Sequence, residues 1–326
     1  MKNGINAAIL SAAIFSSNLH ADHALAEQIR QARQLILDKY SPTLSGGLGY
    51  SDYRFNSNTS GGQYNRYNGT NKSVSLGEFN YIIGSGVSIG GAVFLANADS
   101  SGRSFITGGV PTGFSQSTNT LGINASLSYQ LKTTQPVNLN LFVGYAQNQT
   151  QTTSILNAGL PTEVSGRANY GGNNGNIGFS VKTSWVKTKW LLTGFATYAY
   201  AVSYQDSYSM NIAGTNTNNQ SLTMSQHNFS ETLQLQYQLK NNVSPFAVLT
   251  LIQGLDRRYS RNVSSSVLAS SVNAPKFQTA LNGVQIGTGI AIQYKQLSMS
   301  PVYRYQRQGS EFSSHNVAMQ LGLKLY

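Results

Sequence analysis

Residues 121–131 read Leu121-Gly122-Ile123-Asn124-Ala125-Ser126-Leu127-Ser128-Tyr129-Gln130-Leu131, apolar at the odd numbers and polar or glycine at the even ones. Successive side chains of a β-strand point to opposite faces, so the stretch predicts a strand with one apolar face and one wet face. The same two-residue period returns in Val137/Leu139/Leu141/Val143/Tyr145, in Ile177/Phe179/Val181/Thr183/Trp185 and in Leu233/Leu235/Tyr237/Leu239. It comes back near the end as Val284/Ile286/Thr288/Ile290/Ile292/Tyr294, then Met299/Pro301/Tyr303/Tyr305, then Val317/Met319/Leu321/Leu323/Leu325. Less regular strands fill the gaps near 42–56, 71–84, 86–98, 189–205 and 244–260, for about twelve in all. Between Trp190 and Tyr204 the apolar set falls on even numbers. In 244–260 two sets compete, Phe246/Val248/Ile252 and Leu249/Leu251/Leu255, and the facing of that strand stays open.

Composition limits what such a sheet can be. The chain has 326 residues, and only 10% of them are charged, against roughly 25% in soluble domains. A soluble protein so poor in charge needs a large aliphatic core, yet the mean hydropathy is −0.23. A barrel with lipid on one side and water on the other reconciles the two, because the faces average out along every strand. Connections alternate in the same sense. Short ones fall at 84–86, 133–136, 188–189, 241–245 and 295–296. Long polar ones are expected at 57–70, 99–118, 149–173, 206–223 and 261–276, with a briefer one at 309–314. An even strand number leaves both termini on one side, expected to be the periplasm. Tyr129, Trp185, Trp190, Tyr237 and Tyr294 cluster beside the short turns, while Tyr145, Tyr200 and Tyr305 lie toward the loops, as two interfacial girdles would require.

The amino terminus reads as an address. Met1-Lys2, an apolar run from Ile5 to Phe15 and then Ser16-Ser17-Asn18 form the outline of a secretory signal, with cleavage expected near residue 21 or as late as 26. Residues 22–40 are expected to carry a short helix, since Ala26, Ile29, Ala32, Leu35 and Ile36 recur at helical spacing and Pro42 follows. The barrel is then expected over 41–326. Cysteine is absent, which removes disulfide scaffolds and thiolate metal sites.

Residues 317–326, Val317-Ala318-Met319-Gln320-Leu321-Gly322-Leu323-Lys324-Leu325-Tyr326, resemble the carboxy-terminal signal by which outer-membrane proteins of Gram-negative bacteria engage the barrel-assembly machinery. They depart from it in phase, because the alternation ends on Leu325 and Tyr326 falls one position out. In outline the chain is similar to two groups of twelve-stranded barrels. One comprises the small monomeric channels for oligosaccharides, sugar acids or nucleosides. The other is the translocator domain of autotransporters, in which a helix precedes the first strand and occupies the pore. Autotransporters carry a passenger upstream, whereas here only the signal is read before the helix.

The faces opposite the apolar ones are mostly Gly, Ser, Thr, Asn and Gln, with Lys182, Arg304 and Lys324 as inward cations and Glu78 as an inward acid. A polar interior with a cationic excess implies a hydrated passage that favours small anionic solutes. A secretion or assembly barrel with 25–40 in the lumen, and surface recognition by the loops, are the other readings. The formal charge is +11, but the basic residues are scattered singly apart from Arg257, Arg258 and Arg261, so no nucleic-acid partner is expected. The expected partners are membrane lipid and lipopolysaccharide, the assembly machinery and solutes.

Enzyme chemistry finds little support. Gly86-Val87-Ser88-Ile89-Gly90 matches G-x-S-x-G, but that motif works at a sharp strand-to-helix turn, and here it runs along a strand. His227 and His315 have no evident Ser partner. Glu231, Asp256 and Glu311 are isolated acids. No cofactor or metal group is read.

Overall fold

The two-residue period closes on itself. The computed structural model describes residues 43–58, 64–84, 86–105, 111–131, 137–239, 242–260 and 282–325. The expected signal sequence and the helix at 22–40 lie outside the described residues. Twelve antiparallel strands form a closed barrel: β1 (Thr43–Asn58), β2 (Tyr64–Gly84), β3 (Val87–Phe105), β4 (Thr112–Leu131), β5 (Val137–Leu156), β6 (Val164–Lys187), β7 (Trp190–Gln205), β10 (Leu222–Tyr237), β11 (Val243–Tyr259), β12 (Asn282–Tyr294), β13 (Leu297–Gln308) and β14 (Phe312–Lys324). The remaining two, β8 (Tyr208–Ile212) and β9 (Thr215–Asn219), make a separate hairpin between β7 and β10. Each barrel strand pairs with its sequence neighbours, and β1 closes the circle on β14 from Thr43↔Lys324 to Phe55↔Phe312.

Alternation along each strand sorts the side chains by face. Leu121, Ile123, Leu127 and Tyr129 of β4 are exposed on the outside, as are Leu141 and Val143 of β5 and Ile177 and Phe179 of β6. On β11 the outward set is Leu249, Leu251 and Leu255, while Phe246 and Val248 are buried inside. The last strand presents Val317, Leu321 and Leu323 outward, and Leu325 just past its end is exposed as well. These residues form a continuous apolar belt. Exposed Tyr129, Trp185, Trp190 and Tyr294 mark its short-turn edge, where Trp190 and Tyr237 meet at a ring-centroid distance of 4.7 Å. Tyr50, Tyr145 and Tyr303 stand on the same outer surface toward the long loops.

The strands outrun the expectation. Most of 57–70, 99–118 and 149–173, read from the sequence as loops, is sheet: β2 begins at Tyr64, β3 continues to Phe105, β4 begins at Thr112, and β5 and β6 meet across residues 157–163. A spanning strand needs only about 9–11 residues. Strands β2 to β6 have 21, 19, 20, 20 and 24, whereas β12 to β14 have 13, 12 and 13. One side of the barrel therefore continues past the apolar belt as a polar wall. Water solvates only the outer face there, and the buried inner face mixes aromatic rings with Thr, Ser and Gln, so the sequence carries little hydropathy alternation.

Packing inside the sheet rests on aromatic rings laid against glycine. Phe94 faces Gly122, Tyr67 faces Gly102, Tyr53 faces Gly69, Phe142 faces Gly178 and Phe246 faces Gly289, each pair directly opposed in register. A Cβ at any of these glycines would overlap the ring. The missing side chain lets the ring lie flat on the neighbouring strand, which recovers the apolar burial that glycine itself cannot supply. Tyr53, Phe55, Tyr67, Phe114 and Phe312 join into an inward aromatic cluster toward the long-loop end.

Gly122→Val is expected to destabilise the barrel by about 1–3 kcal/mol through overpacking, although valine has the higher strand propensity. Adding Phe94→Ala should recover part of that loss, because the two sites share one space. Urea unfolding of the refolded protein in vesicles reads both effects, and a higher midpoint for Gly122→Val would discard the ring-on-glycine account.

Candidate functional site

The passage enclosed by the sheet is the natural place for chemistry. Its wall includes the even residues of β4 to β6, β10, β11, β13 and β14 and the odd residues of β7 and β12, and it is polar through much of its height. Asn140, Ser180, Thr193, Thr232, Gln234 and Gln285 are all buried there. Hydroxyls and amides bridge neighbouring strands: Ser128 donates to Asn140 at 2.9 Å, and Thr232 and Thr250 share a hydrogen bond of 2.9 Å. Such bonds fix the orientation of the side chains that make them, whereas the side-chain oxygens of Gln234 and Gln285 are buried with no hydrogen-bond partner.

Two of the cations expected to face inward lie deep on this wall. Lys182 of β6 is 3% exposed, opposite Asn138 and Phe195, with its Nζ 5.5 Å from the Phe195 ring centre. Arg304 of β13 is also 3% exposed, and its stem lies against Gly287 of β12, where a Cβ would come within 2.8 Å of it. The two sit on different sides of the closed sheet, separated by β7 and β10 to β12 along the shorter arc. Lys324 lies at the short-turn end opposite Thr43, half-buried, and its backbone amide donates to the Gln296 carbonyl. Glu78 lies on β2 opposite Ser45, beside a break in register, and its side chain is outside the described ones.

A fourth inward cation escaped the sequence reading. Arg257 sits opposite Gln226, and its Nε donates to the Gln226 side chain at 3.3 Å. A register shift at His227/Asn228 turns Arg257 inward and sends Asp256 and Arg258 outward, where Arg258 bonds Asp256 at 2.6 Å. The densest basic cluster of the sequence is thus divided between two faces, and Arg261 lies outside the described residues. A bulge has no hydropathy signal to announce it. Among the side chains described on the inner face of the strands, the charged ones are Lys182, Arg257, Arg304 and Lys324, with no carboxylate.

At the long-loop end the β8–β9 hairpin folds against the inner face of β6. Tyr208, Met210 and Ile212 pack on Ala168 and Leu222, and Tyr170 stacks on Tyr208 at 4.5 Å. Gly166 leaves room for the strand, since a Cβ there would meet the Asn211 carbonyl. Ala213 and Gly214 take positive φ at the tip, the turn that matches the twist of a two-residue hairpin. Burial holds the Tyr208 hydroxyl well above the ordinary phenol range, so it stays neutral. The other face of the hairpin is an exposed amide ladder, in which Ser209 bonds Asn218 at 2.7 Å and Asn211 bonds Asn216 at 2.8 Å. From the sequence, residues 206–223 read only as a loop. The alternation of Tyr208, Met210 and Ile212 before Ala213-Gly214 was the signal available.

Among the residues weighed for enzyme chemistry, His227 and Asp256 stand opposite each other on the outer face of β10 and β11, with no serine of a nucleophile turn beside them. Gly86 occupies a turn with φ +91°, and Val87 to Gly90 run into β3 with no helix following. His227 and His315 face outward in matching settings. Tyr198 is hydrogen-bonded to His227 at 2.6 Å with Tyr200 against the ring, and Tyr303 is bonded to His315 at 2.7 Å with Tyr305 against it. Both histidines belong to the outer aromatic surface. Glu231 stands between Ala196 and Leu251 on the outside, far from either. Among the described residues no cluster of three metal-ligating side chains occurs.

No family model and no curated protein matches the sequence. Solved structures do match the fold. The translocator domain of the autotransporter NalP from Neisseria meningitidis superimposes with a TM-score of 0.66 at 14% identity, covering 95% of this chain and 98% of that one. The transport unit of the autotransporter AIDA-I from Escherichia coli gives 0.54 at 13% identity, over 93% and 97%. The toluene transporter TbuX of Ralstonia pickettii gives 0.50 at 11%, over 89% and 91%. The chain has the fold of an outer-membrane β-barrel.

Proposed function

We infer that the protein is a passive outer-membrane channel for small hydrophilic solutes, leaning toward anions, with its short turns and both termini on the periplasmic side. One observation carries the reading: the inner face of the closed sheet is polar, and its described charges are all cationic. Fixed cations on a narrow wall raise the local concentration of anions, and they do so most where low-dielectric walls focus the field. The near-complete burial of Lys182 and Arg304 fits a narrow passage, hence small solutes. The β8–β9 hairpin narrows the mouth and lines it with amides and hydroxyls, which offer hydrogen bonds in exchange for a solute's own water. Exclusively apolar cargo would gain nothing from such a lining.

The test is single-channel recording of the refolded protein in planar bilayers under a salt gradient. Discrete steps with an anion-selective reversal potential are expected. Lys182→Gln with Arg304→Gln should move that potential toward zero, and an unchanged value would remove these cations from the selectivity argument. Replacing Tyr208–Asn219 with a short Gly-Ser link should raise conductance. If it does not, the hairpin lies off the path.

A second reading, a secretion-type barrel with residues 25–40 in the lumen, draws on the low exposure of the inner wall and on the translocator domain and transport unit named among the structural neighbours. Deleting 25–40 should then turn a silent barrel into a conducting one. Equal conductance before and after would reject it.

A further inference from the structure

The outer face of the polar wall carries a site that owes nothing to the lumen. Beyond the apolar belt, β1 to β6 hold a cavity of about 1100 Å³ whose lining is mainly the outward side chains of those strands. That volume lies just above the range of small-molecule pockets, as an open groove rather than an enclosed cavity allows. Read across the sheet in register, its floor is ordered. One row runs Arg54–Asn68–Ser101–Ser115–Thr153–Arg167, with an arginine at each end and four small polar side chains between. At about 4.8 Å per strand the two arginines are roughly 24 Å apart. The next row toward the belt is Asp52–Thr70–Asp99–Ser117–Gln151, and the one below it begins Tyr50–Lys72–Asn97–Asn119. Only then does the surface become apolar, with Leu48–Val74–Leu95–Leu121.

We propose that this groove is a binding site for the phosphorylated saccharide headgroup of outer-leaflet lipid. Position, shape and charge all contribute. The groove opens on the outside of the barrel, three rows above the last apolar one, at the height where headgroups surround a protein whose belt is in hydrocarbon. Its long floor of Ser, Thr, Asn and Gln matches a chain of sugar hydroxyls, since each offers both donor and acceptor. Arg54 and Arg167 close the ends with planar forks suited to phosphate. Further along the same face, Arg66 and Arg103 are directly opposed on β2 and β3. Asp52 and Asp99 are the opposing term, limiting the anion density the groove accepts. A neutral sugar would need no arginine, and an apolar ligand would find no surface here. The site rests on the proposed orientation, with the short turns periplasmic, but not on what crosses the lumen, so a silent barrel leaves it intact.

Native mass spectrometry of the full chain, refolded in detergent, tests the proposal with three probes: rough lipopolysaccharide, the same material after removal of its phosphates, and the free phosphorylated core oligosaccharide. Retained lipopolysaccharide at graded concentrations gives Kd. The intact lipid should bind tightest, and dephosphorylation should weaken it by at least about tenfold. Arg54→Gln with Arg167→Gln should weaken the intact lipid by a similar factor while heat-modifiable migration is unchanged. Arg258→Gln, an outward arginine on the far wall, should leave Kd within about twofold. Asp99→Asn should tighten binding about two- to threefold, a direction that misfolding cannot mimic. Equal affinity for dephosphorylated lipid, no loss in the double arginine variant, or no gain at Asp99→Asn would overturn the site. Free core oligosaccharide binding as tightly as the lipid would overturn the lipid as its source.

Discussion

Closure of the sheet is the condition on which everything else depends. In hydrocarbon a backbone N–H or C=O without a partner costs several kcal/mol, and an open edge would expose a whole row of them. The pairing of β1 with β14, from Thr43↔Lys324 to Phe55↔Phe312, removes both edges at once. Once the circle is closed, two-residue alternation has only one meaning: odd and even residues belong to different solvents. Leu121 and Asn124, three residues apart on β4, illustrate how little chain separates lipid from lumen. The inner aromatic clusters, the cations and the hairpin are all decorations on a wall that exists only because the ring is complete.

That constraint also explains which parts of the protein were legible in its sequence. Strand number, antiparallel order and facing followed from alternation wherever lipid imposes it, as at Leu121–Leu131 and Val284–Tyr294. The ambiguous strand at 244–260 was settled by packing, because Phe246 lies over Gly289 on the inside, leaving Leu249 and Leu251 for the belt. No single-strand pattern contains that information. The polar halves of β2 to β6 were read as loops for a related reason. Asn65-Arg66-Tyr67-Asn68-Gly69-Thr70 has water on one side and a sparsely aromatic interior on the other, so its composition is that of a loop and only its register partners make it sheet.

The lumen was half legible. Lys182 and Arg304 fell on the inner face because parity alone put them there, and parity is reliable between bulges. Arg257 was missed because the shift at His227/Asn228 resets the count, turning what looks like one basic cluster into an inward cation and an outward ion pair. The inward aromatics were missed for another reason. Tyr53, Tyr67 and Phe114 occupy positions that parity reserves for polar residues, and they are tolerated because Gly69 and Gly102 give the tyrosine rings a flat surface to cover. A ring buried against backbone does not compete with water for the lumen.

The two polar surfaces of the molecule therefore answer to different demands. Inside, the perimeter is fixed by twelve strands, and every large side chain added to the wall narrows what can pass. Among the described side chains, charge there is sparse and cationic, with buried Lys182 and Arg304 on separate arcs beside Arg257 and Lys324. Outside, beyond the belt, nothing limits the width of a row, and the wall from β1 to β6 carries its charges on β1, β2, β3 and β6 with both signs present. Confinement makes a few inner charges effective at a distance, because the walls around them are poor dielectrics. The outer arginines face water and salt, which screen them within about 8–10 Å, so they act only on what lies against them. Length asymmetry between β2–β6 and β12–β14 is what gives one sheet both an enclosed inner surface and an open polar outer one.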